Sequence, residues 1–553
     1  MDALAHLIEL DAVARLRAHD ATLFGSTTDD VTLASRNLGW TRLAKNSVDM
    51  LEQISRLARE SVEKGLTDVV LLGMGGSSLA ALVIGNVLGA ESDVRLHVLD
   101  TTCPRTVDAV IAALDPATTL YLVSSKSGGT IEPNSLYAVF REVADGALGR
   151  AGGGHRFIAL TDPGSPLEAA AADGGFCALV STPENVGGRF SALTSFGLVP
   201  AKLLGVDATE LLRRAGNMEA ACDLPPAENP AALLAAFIAD AHATGRDKLT
   251  IVASAQLRSF GLWIEQLVAE SLGKGGTGVV PVVELSDDFP QGYGSDRAVV
   301  VVRLAGDERL AEWAPKLGAS APVRELVLSD GYDLGAQFSL WEHAVALLGP
   351  LLGVNPFGQP NVQAAKDATN AVLSGTLSAP EPSGCTPGGT VLTYAGGLPD
   401  PGHAEPSLAT ALGHALAALR PADYLALLAY LPEDDELLAP LVSATPQVSA
   451  ATGAAVTLEL GPRYLHSTGQ LHKGGPNTGV FVVVTTRDAA DAPVPGRSWG
   501  LRTLFRAQAD GDITTLVSAG RRVLHVDLPE AGADTVAHFA HALLDAAGVA
   551  WEE

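Results

Sequence analysis

The sequence predicts an α/β protein built on parallel sheets. Two observations carry this: short apolar runs alternate with segments of helical period, and two of those runs end in glycine- and serine-rich turns that lead straight into helices. The order of elements follows from the same alternation. Residues 1–65 read as a mainly helical segment. Within it, MDALAHLIELDAVARLRAHD places acids among apolar residues at helical spacing and has no basic n-region, so it reads as neither a signal peptide nor an anchor. Strand-like runs then follow as VVLL (69–72), RLHVL (95–99), LYLV (120–123) and RFIAL (156–160), with helical stretches between them. They define a first α/β domain over 66–225.

A second set, LTIVA (249–253), VVPVV (279–283), AVVVVRL (298–304) and ELVL (325–328), runs into a helical extension and defines a second α/β domain over 226–377. The stretch SAPEPSGCTPGGT (378–390) is the linker candidate, being rich in proline and glycine. Beyond it YLALLAYL, AAVTLEL, VFVVVTT and RVLHVDL indicate a C-terminal α/β segment over 391–553. No short repeat is visible, and the common pattern of the first two segments leaves a distant structural duplication open.

Composition narrows the function. A chain of 553 residues with 47% apolar content buries a large core. Its 63 acids against 37 bases give a formal charge of −26, which opposes nucleic acid along any extended surface. An anionic small ligand then needs a local pocket of cations and backbone dipoles. The four cysteines (Cys103, Cys177, Cys222, Cys385) are far apart with no C-x-x-C pair, which fits a reducing cytosol and gives no disulfide framework or zinc site. No apolar run approaches the roughly eighteen residues of a membrane span. The expectation is a soluble, cytoplasmic protein without membrane or nucleic-acid partners.

The two turns are DVVLLGMGGSSLAALVIG (68–85) and TLYLVSSKSGGTIEPNSLYAVF (119–140). Each brings free backbone N–H groups and hydroxyls to one spot, which suits a phosphate. Gly73-x-Gly75-x-x-Ser78 approaches a dinucleotide fingerprint, and Asp100 ends the next strand where a ribose-binding acid would sit. A Walker A reading fails because no Gly-Lys-Ser/Thr follows. The second turn shifts the balance toward a bare phosphate, with four hydroxyls and an ammonium in Ser124 to Thr130. The plain reading of both is glycine for close packing and Ser/Thr as helix caps.

Further on, ENVGGRFSALTSFGLVPAKLLG (184–205) sets Arg189 behind two glycines, where a ligand can approach the guanidinium. In LWIEQLVAESLGKGGTG (262–278) helical spacing places Glu270 in the last turn, with Gly273 and the following glycines as the stop. A carboxylate at the negative end of a helix is harder to ionise, which suits a general base. The plain alternative is an i,i+4 pairing with Lys274. Gln266 lies one turn earlier on the same face.

LLGMGGSSLA, SSKSGGT, VGGRFS, AESLGKGG and LLGVNPFGQPNVQAAK (351–366) together resemble phosphoglucose isomerase, in the divergent bacterial form that also occurs fused to transaldolase. The resemblance runs with gaps from about residue 65 to 370. It implies two sugar isomerase (SIS) type domains, each an αβα sandwich around a parallel sheet, assembled as a homodimer with sites near the interface. It also implies that Gly75, Gly76 and Ser77, with Ser125, Lys126, Ser127 and Thr130, hold the sugar phosphate. Arg189 then steadies an enediol intermediate, Glu270 moves the proton between C2 and C1, Gln266 and Gln359 line the site, and Lys366 assists ring opening. The family's His-Ser-x-x-Gln string is missing between the glutamate and the lysine, where the histidine, His343 in WEHAVALL, reads as helix packing. A similar string comes later as His466-Ser467-Thr468-Gly469-Gln470, which nominates His466 as the ring-opening acid/base, ahead of His472. The Ser-Gly-Gly-Thr loop is also simpler than the Thr-Phe-Thr-Thr of many relatives.

The implied reaction interconverts glucose 6-phosphate and fructose 6-phosphate, in glycolysis and gluconeogenesis, with no metal and no cofactor. A related substrate such as mannose 6-phosphate stays open. So does a non-catalytic sugar-phosphate sensor, which has no use for Glu270, and, more remotely, a dinucleotide-dependent oxidoreductase. A transaldolase needs a further barrel, for which the N-terminal segment is too short.

Overall fold

A computed structural model describes residues 2–89, 92–286, 292–318, 320–402, 406–487 and 490–550. Its first sheet contains β1 (Asp68–Gly73), β2 (Arg95–Leu99), β3 (Thr119–Ser124), β4 (Phe157–Thr161) and β5 (Ala178–Ser181). The order is β2-β1-β3-β4-β5, and every pairing is parallel. The second sheet, β6 (Lys248–Ala253), β7 (Val280–Val283), β8 (Arg297–Leu304) and β9 (Val323–Leu328), has the order β7-β6-β8-β9 and is also parallel. Buried on both faces, central strands such as VVLL and VVVV read as unbroken apolar runs.

The third sheet comprises β10 (Gly384–Cys385), β11 (Val391–Gly396), β12 (Tyr424–Ala429), β13 (Ala455–Leu460), β14 (Gly479–Thr486) and β15 (Arg522–Leu528). Its order is β10-β11-β15-β14-β12-β13. β12 to β15 pair in parallel, while β11 runs antiparallel to β15 and to the two-residue β10. Part of the proline-rich 378–390 stretch is therefore strand. The neighbour order second-first-third-fourth of the first two sheets recurs in the third when counted over its parallel strands β12 to β15.

One apolar cluster joins the N-terminal helices to the first two sheets, from Leu7 through Val69 and Ile251 to Phe357. Another packs Leu428, Tyr424 and Val483 of the third sheet on Val280, Val282 and Ala269 of the second unit. Val494 and Leu501 join the core on the first sheet's other side. The C-terminal unit is thus wedged against both others. Among the described residues no helix is long and apolar enough to cross a membrane.

Candidate active site

The turn after β1 is a short 3-10 segment, Gly75–Ser77, followed by the helix Leu79–Leu88. Gly75 has φ +54°, and a Cβ there would lie 2.7 Å from Gln266 Nε2 and 2.8 Å from the His466 carbonyl oxygen. At Gly76 a Cβ would lie 2.1 Å from the carbonyl oxygen of Gly188. Only glycines let this turn press against the segments that carry Arg189 and His466.

Beside it, the turn after β3 is tied in by Ser124 Oγ, which donates to the Ser77 carbonyl at 2.7 Å. Lys126, Ser127 and Thr130 line the cavity; Ser125 does not, being buried beneath the loop and donating to Thr130 Oγ1 at 3.2 Å. Lys126 Nζ is engaged with Asp162 Oδ2 at 2.5 Å and with the carbonyls of Pro183 and Glu184. In this arrangement it braces the loop, and it lines the cavity together with its partner Asp162.

Across the cavity, the helix Arg258–Leu272 is buried from Trp263 onward and presents Gln266 and Glu270 on one face. Its end does not use a left-handed residue: Gly273 has φ −80°, and a Cβ there would meet Leu471 Cα at 2.5 Å. The glycine is required by the C-terminal unit, and the reversal falls to Gly275 and Gly276. Arg189 is 4% exposed, with Nη1 3.0 Å from Glu270 Oε1 and 3.1 Å from Gln359 Oε1. Its Nε donates to Ser271 Oγ at 2.7 Å, and Nη2 donates to the Pro356 carbonyl. Burial pulls its pKa down while Glu270 pushes it up, yet an arginine stays charged throughout. Gln266 Nε2 donates to the other carboxylate oxygen of Glu270 at 3.1 Å and to the His466 carbonyl at 2.8 Å.

Lys274 does not form the helical pairing with Glu270 considered from the sequence. Its Nζ donates to the carbonyls of Asn355 and Gly358, holding the loop that leads to Gln359. Burial, reinforced by Arg189 and opposed by Glu270, lowers its pKa to about 6.

His466 comes from the C-terminal unit, on the short turn Arg463–His466. Its Nε2 lies 3.0 Å from Glu132 Oε1, which also accepts from Gln508 Nε2 at 2.7 Å. Burial alone would raise the Glu132 pKa, but His466, together with a backbone hydrogen bond and Lys366, holds the carboxyl below its usual value. The carboxylate accepts from Nε2–H and so leaves Nδ1 as the free imidazole nitrogen. Lys366, exposed on the helix Pro360–Leu373, lines the same cavity, and its Nζ has no hydrogen-bond partner among the described residues.

These groups enclose about 320 Å³ between the two turns, Arg189, Glu270, Gln359, Lys366 and His466. A second hollow of about 250 Å³ continues past Lys366 and His466 toward Glu132, Arg497 and Gln508. Other candidates lie elsewhere. His472 is buried 3.4 Å from Glu459 and does not reach the cavity. His343 packs edge-on to Trp40, and burial lowers its pKa to about 4. Asp100, the ribose candidate, is fully buried and bound to Arg463 at 2.7 Å, so it is not available to a dinucleotide.

Sequence reasoning missed Glu132, Asp162 and Gln508. An acid in the first turn of a helix reads as a partner of the helix dipole, and nothing nearby announces a contact 334 positions away.

The family described as phosphoglucose isomerase matches residues 45–285. The chain is 29% identical over 389 residues to a glucose-6-phosphate isomerase of Rubrobacter xylanophilus, covering 62% of this chain and 90% of that protein. It is 31% identical over 381 residues to one from Cyanothece sp., covering 59% of this chain and 71% of that protein. The chain belongs to the phosphoglucose isomerase family. Its fold is similar to that of a glucose-6-phosphate isomerase from Chlamydia trachomatis, with TM-score 0.54 at 18% identity over 67% of this chain and 85% of that one. The family match ends before Gln359, Lys366 and His466, and in chain order the C-terminal unit supplies the histidine after the lysine.

Proposed function

We propose that this protein is an aldose-ketose isomerase that interconverts glucose 6-phosphate and fructose 6-phosphate through an enediol. The observation that carries the reading is the buried Arg189–Glu270 pair facing one end of a cavity whose other end is the hydroxyl-rich turn Ser124 to Thr130. A phosphate held by Ser77, Ser127 and Thr130, with Lys126 behind them, supplies binding energy remote from the reacting carbons and positions them. Glu270 takes the proton from C2 of the open-chain aldose and returns it to C1. The negative charge then developing on oxygen is met by the Arg189 guanidinium, whose geometry is preset by Ser271, Gln359 and Pro356. His466, oriented by Glu132, and Lys366 carry protons to and from the ring oxygen.

The protein acts in glycolysis and gluconeogenesis, in the cytoplasm, as a homodimer in solution. The deciding assay is conversion of fructose 6-phosphate to glucose 6-phosphate by the purified full chain, followed with a coupled dehydrogenase. Sustained turnover that disappears in Glu270→Gln supports the reading. Sugar-phosphate binding without turnover overturns it in favour of a sensor.

A further inference from the structure

The recurring strand order directs attention to the third sheet. In the first sheet, the proposed phosphate-binding turns leave the carboxyl ends of β1 and β3, adjacent strands at the point where the winding reverses. The equivalent neighbours in the third sheet are β12 and β14. A crevice of about 40 Å³ opens at their carboxyl ends, lined by Tyr430 and Pro432 beyond β12 and by Thr485 and Thr486 of β14. It is room for about three waters by cavity size, hence for a phosphoryl group with the rest of its carrier outside.

The lining is cationic in a strongly acidic protein. Arg105 reaches it from the first unit, Arg502 and Arg506 from the helix Leu501–Ser518, and among the described residues no carboxylate lines it. Arg506 is compensated by Asp510 at 2.9 Å and Asp527 at 3.0 Å. Arg105 donates to the Ala531 carbonyl and lies 3.6 Å from Asp434. The Arg502 guanidinium and the Thr486 hydroxyl have no partner among the described residues. Donors arriving from three elements suit a tetrahedral dianion better than a planar carboxylate.

Residues next to the crevice lining also connect to the histidine of the active site. Thr102, next to the lining Cys103, donates to Gln508 Oε1 at 2.7 Å, and the amide nitrogen of Gln508 donates to Glu132, the partner of His466. On the other side Arg463, on the same short turn as His466, bridges Asp100 and Glu433, the latter adjacent to Pro432. We infer that this crevice is a second anion site, for the phosphoryl group of a small phosphorylated metabolite, and that its occupation adjusts His466 through Gln508 and Arg463.

Calorimetric titration of the full chain with inorganic phosphate tests it, independently of isomerase activity. The expected result is two phosphates per chain in the wild type and one in both Arg502→Ala and Thr486→Val, the lost site being weakened roughly tenfold or more. Thr486→Val keeps the test open if Arg502→Ala fails to fold. A single phosphate in the wild type, or variants that bind as the wild type does, overturns the site. The coupling is read at saturating fructose 6-phosphate, where competition at the active site is suppressed. There phosphate should change kcat roughly twofold or more in the wild type, and not in the variants, whose basal kcat is unchanged. A wild-type kcat indifferent to phosphate overturns the coupling.

Discussion

Arg189 Nη1 sits 3.0 Å from Glu270 Oε1 inside a site where both side chains are almost fully buried. The pair cannot be broken cheaply, because the remaining charge stays almost fully buried; truncation of one member of a buried pair costs about 3–5 kcal/mol. In Glu270→Gln the shape survives and Arg189 keeps Ser271, Gln359 and Pro356 as acceptors. We expect kcat to fall by about 10²–10⁴, a lower melting temperature and little change in sugar-phosphate affinity. Near-normal turnover would remove Glu270 as the base.

Glu132 is the orienting partner of His466, so Glu132→Gln should lower kcat by about 10²-fold, as His466→Gln should. The double variant should be no worse than the more damaged single one, because both changes break one device. Steady-state kinetics of the three proteins decides it: a fully active Glu132→Gln beside an inactive His466→Gln would leave the carboxylate with no part in ring opening.

Much of this was legible beforehand, and the exceptions have physical causes. Central strands such as Val69–Leu72 and Ala298–Val302 are buried on both faces, so their apolar runs stand out. β5 (ALVS) and β11 (VLTYAG) are short or half-polar and did not. Gly75, Gly76 and the side chains of Arg189, Gln266, Glu270, Gln359, Lys366 and His466 line one cavity. Ser125 and Lys126 show the limit: motif spacing names the loop but not which hydroxyl faces inward, or that an aspartate after β4 engages the ammonium. His466 could be nominated from its string, but its orientation depends on contacts from the first unit that no local pattern encodes.

Gly76→Ala tests the close approach of the two turns. Its new methyl would sit 2.1 Å from the Gly188 carbonyl, a backbone atom that cannot swing aside, so the strand of contacts ending at Arg189 must shift. A displacement of about 1 Å costs on the order of 10²-fold in rate, and kcat/KM should fall by that much. An unaltered kcat/KM would mean that the turn and Arg189 are not in register during turnover.

Glu219, far from the cavity chemistry, gives the pH prediction. It is 5% exposed, accepts from the Ala44 amide at 2.9 Å, and has a pKa raised from 4.5 to about 7 by burial, with Ala44 and Arg42 opposing. The raised value means that the unfolded chain ionises first. Below about pH 4.5 both states hold the proton and stability is intact; as pH rises toward about 7 it is lost, by up to about 3 kcal/mol. Glu219→Gln keeps an acceptor for Ala44 and has no charge to bury, so the variant should gain on the wild type across that window. Urea unfolding at about pH 4.5, 6 and 7.5 measures the difference. A gap between the two proteins that stays constant with pH would mean that Glu219 has the same pKa folded and unfolded, so that its burial does not make stability depend on pH.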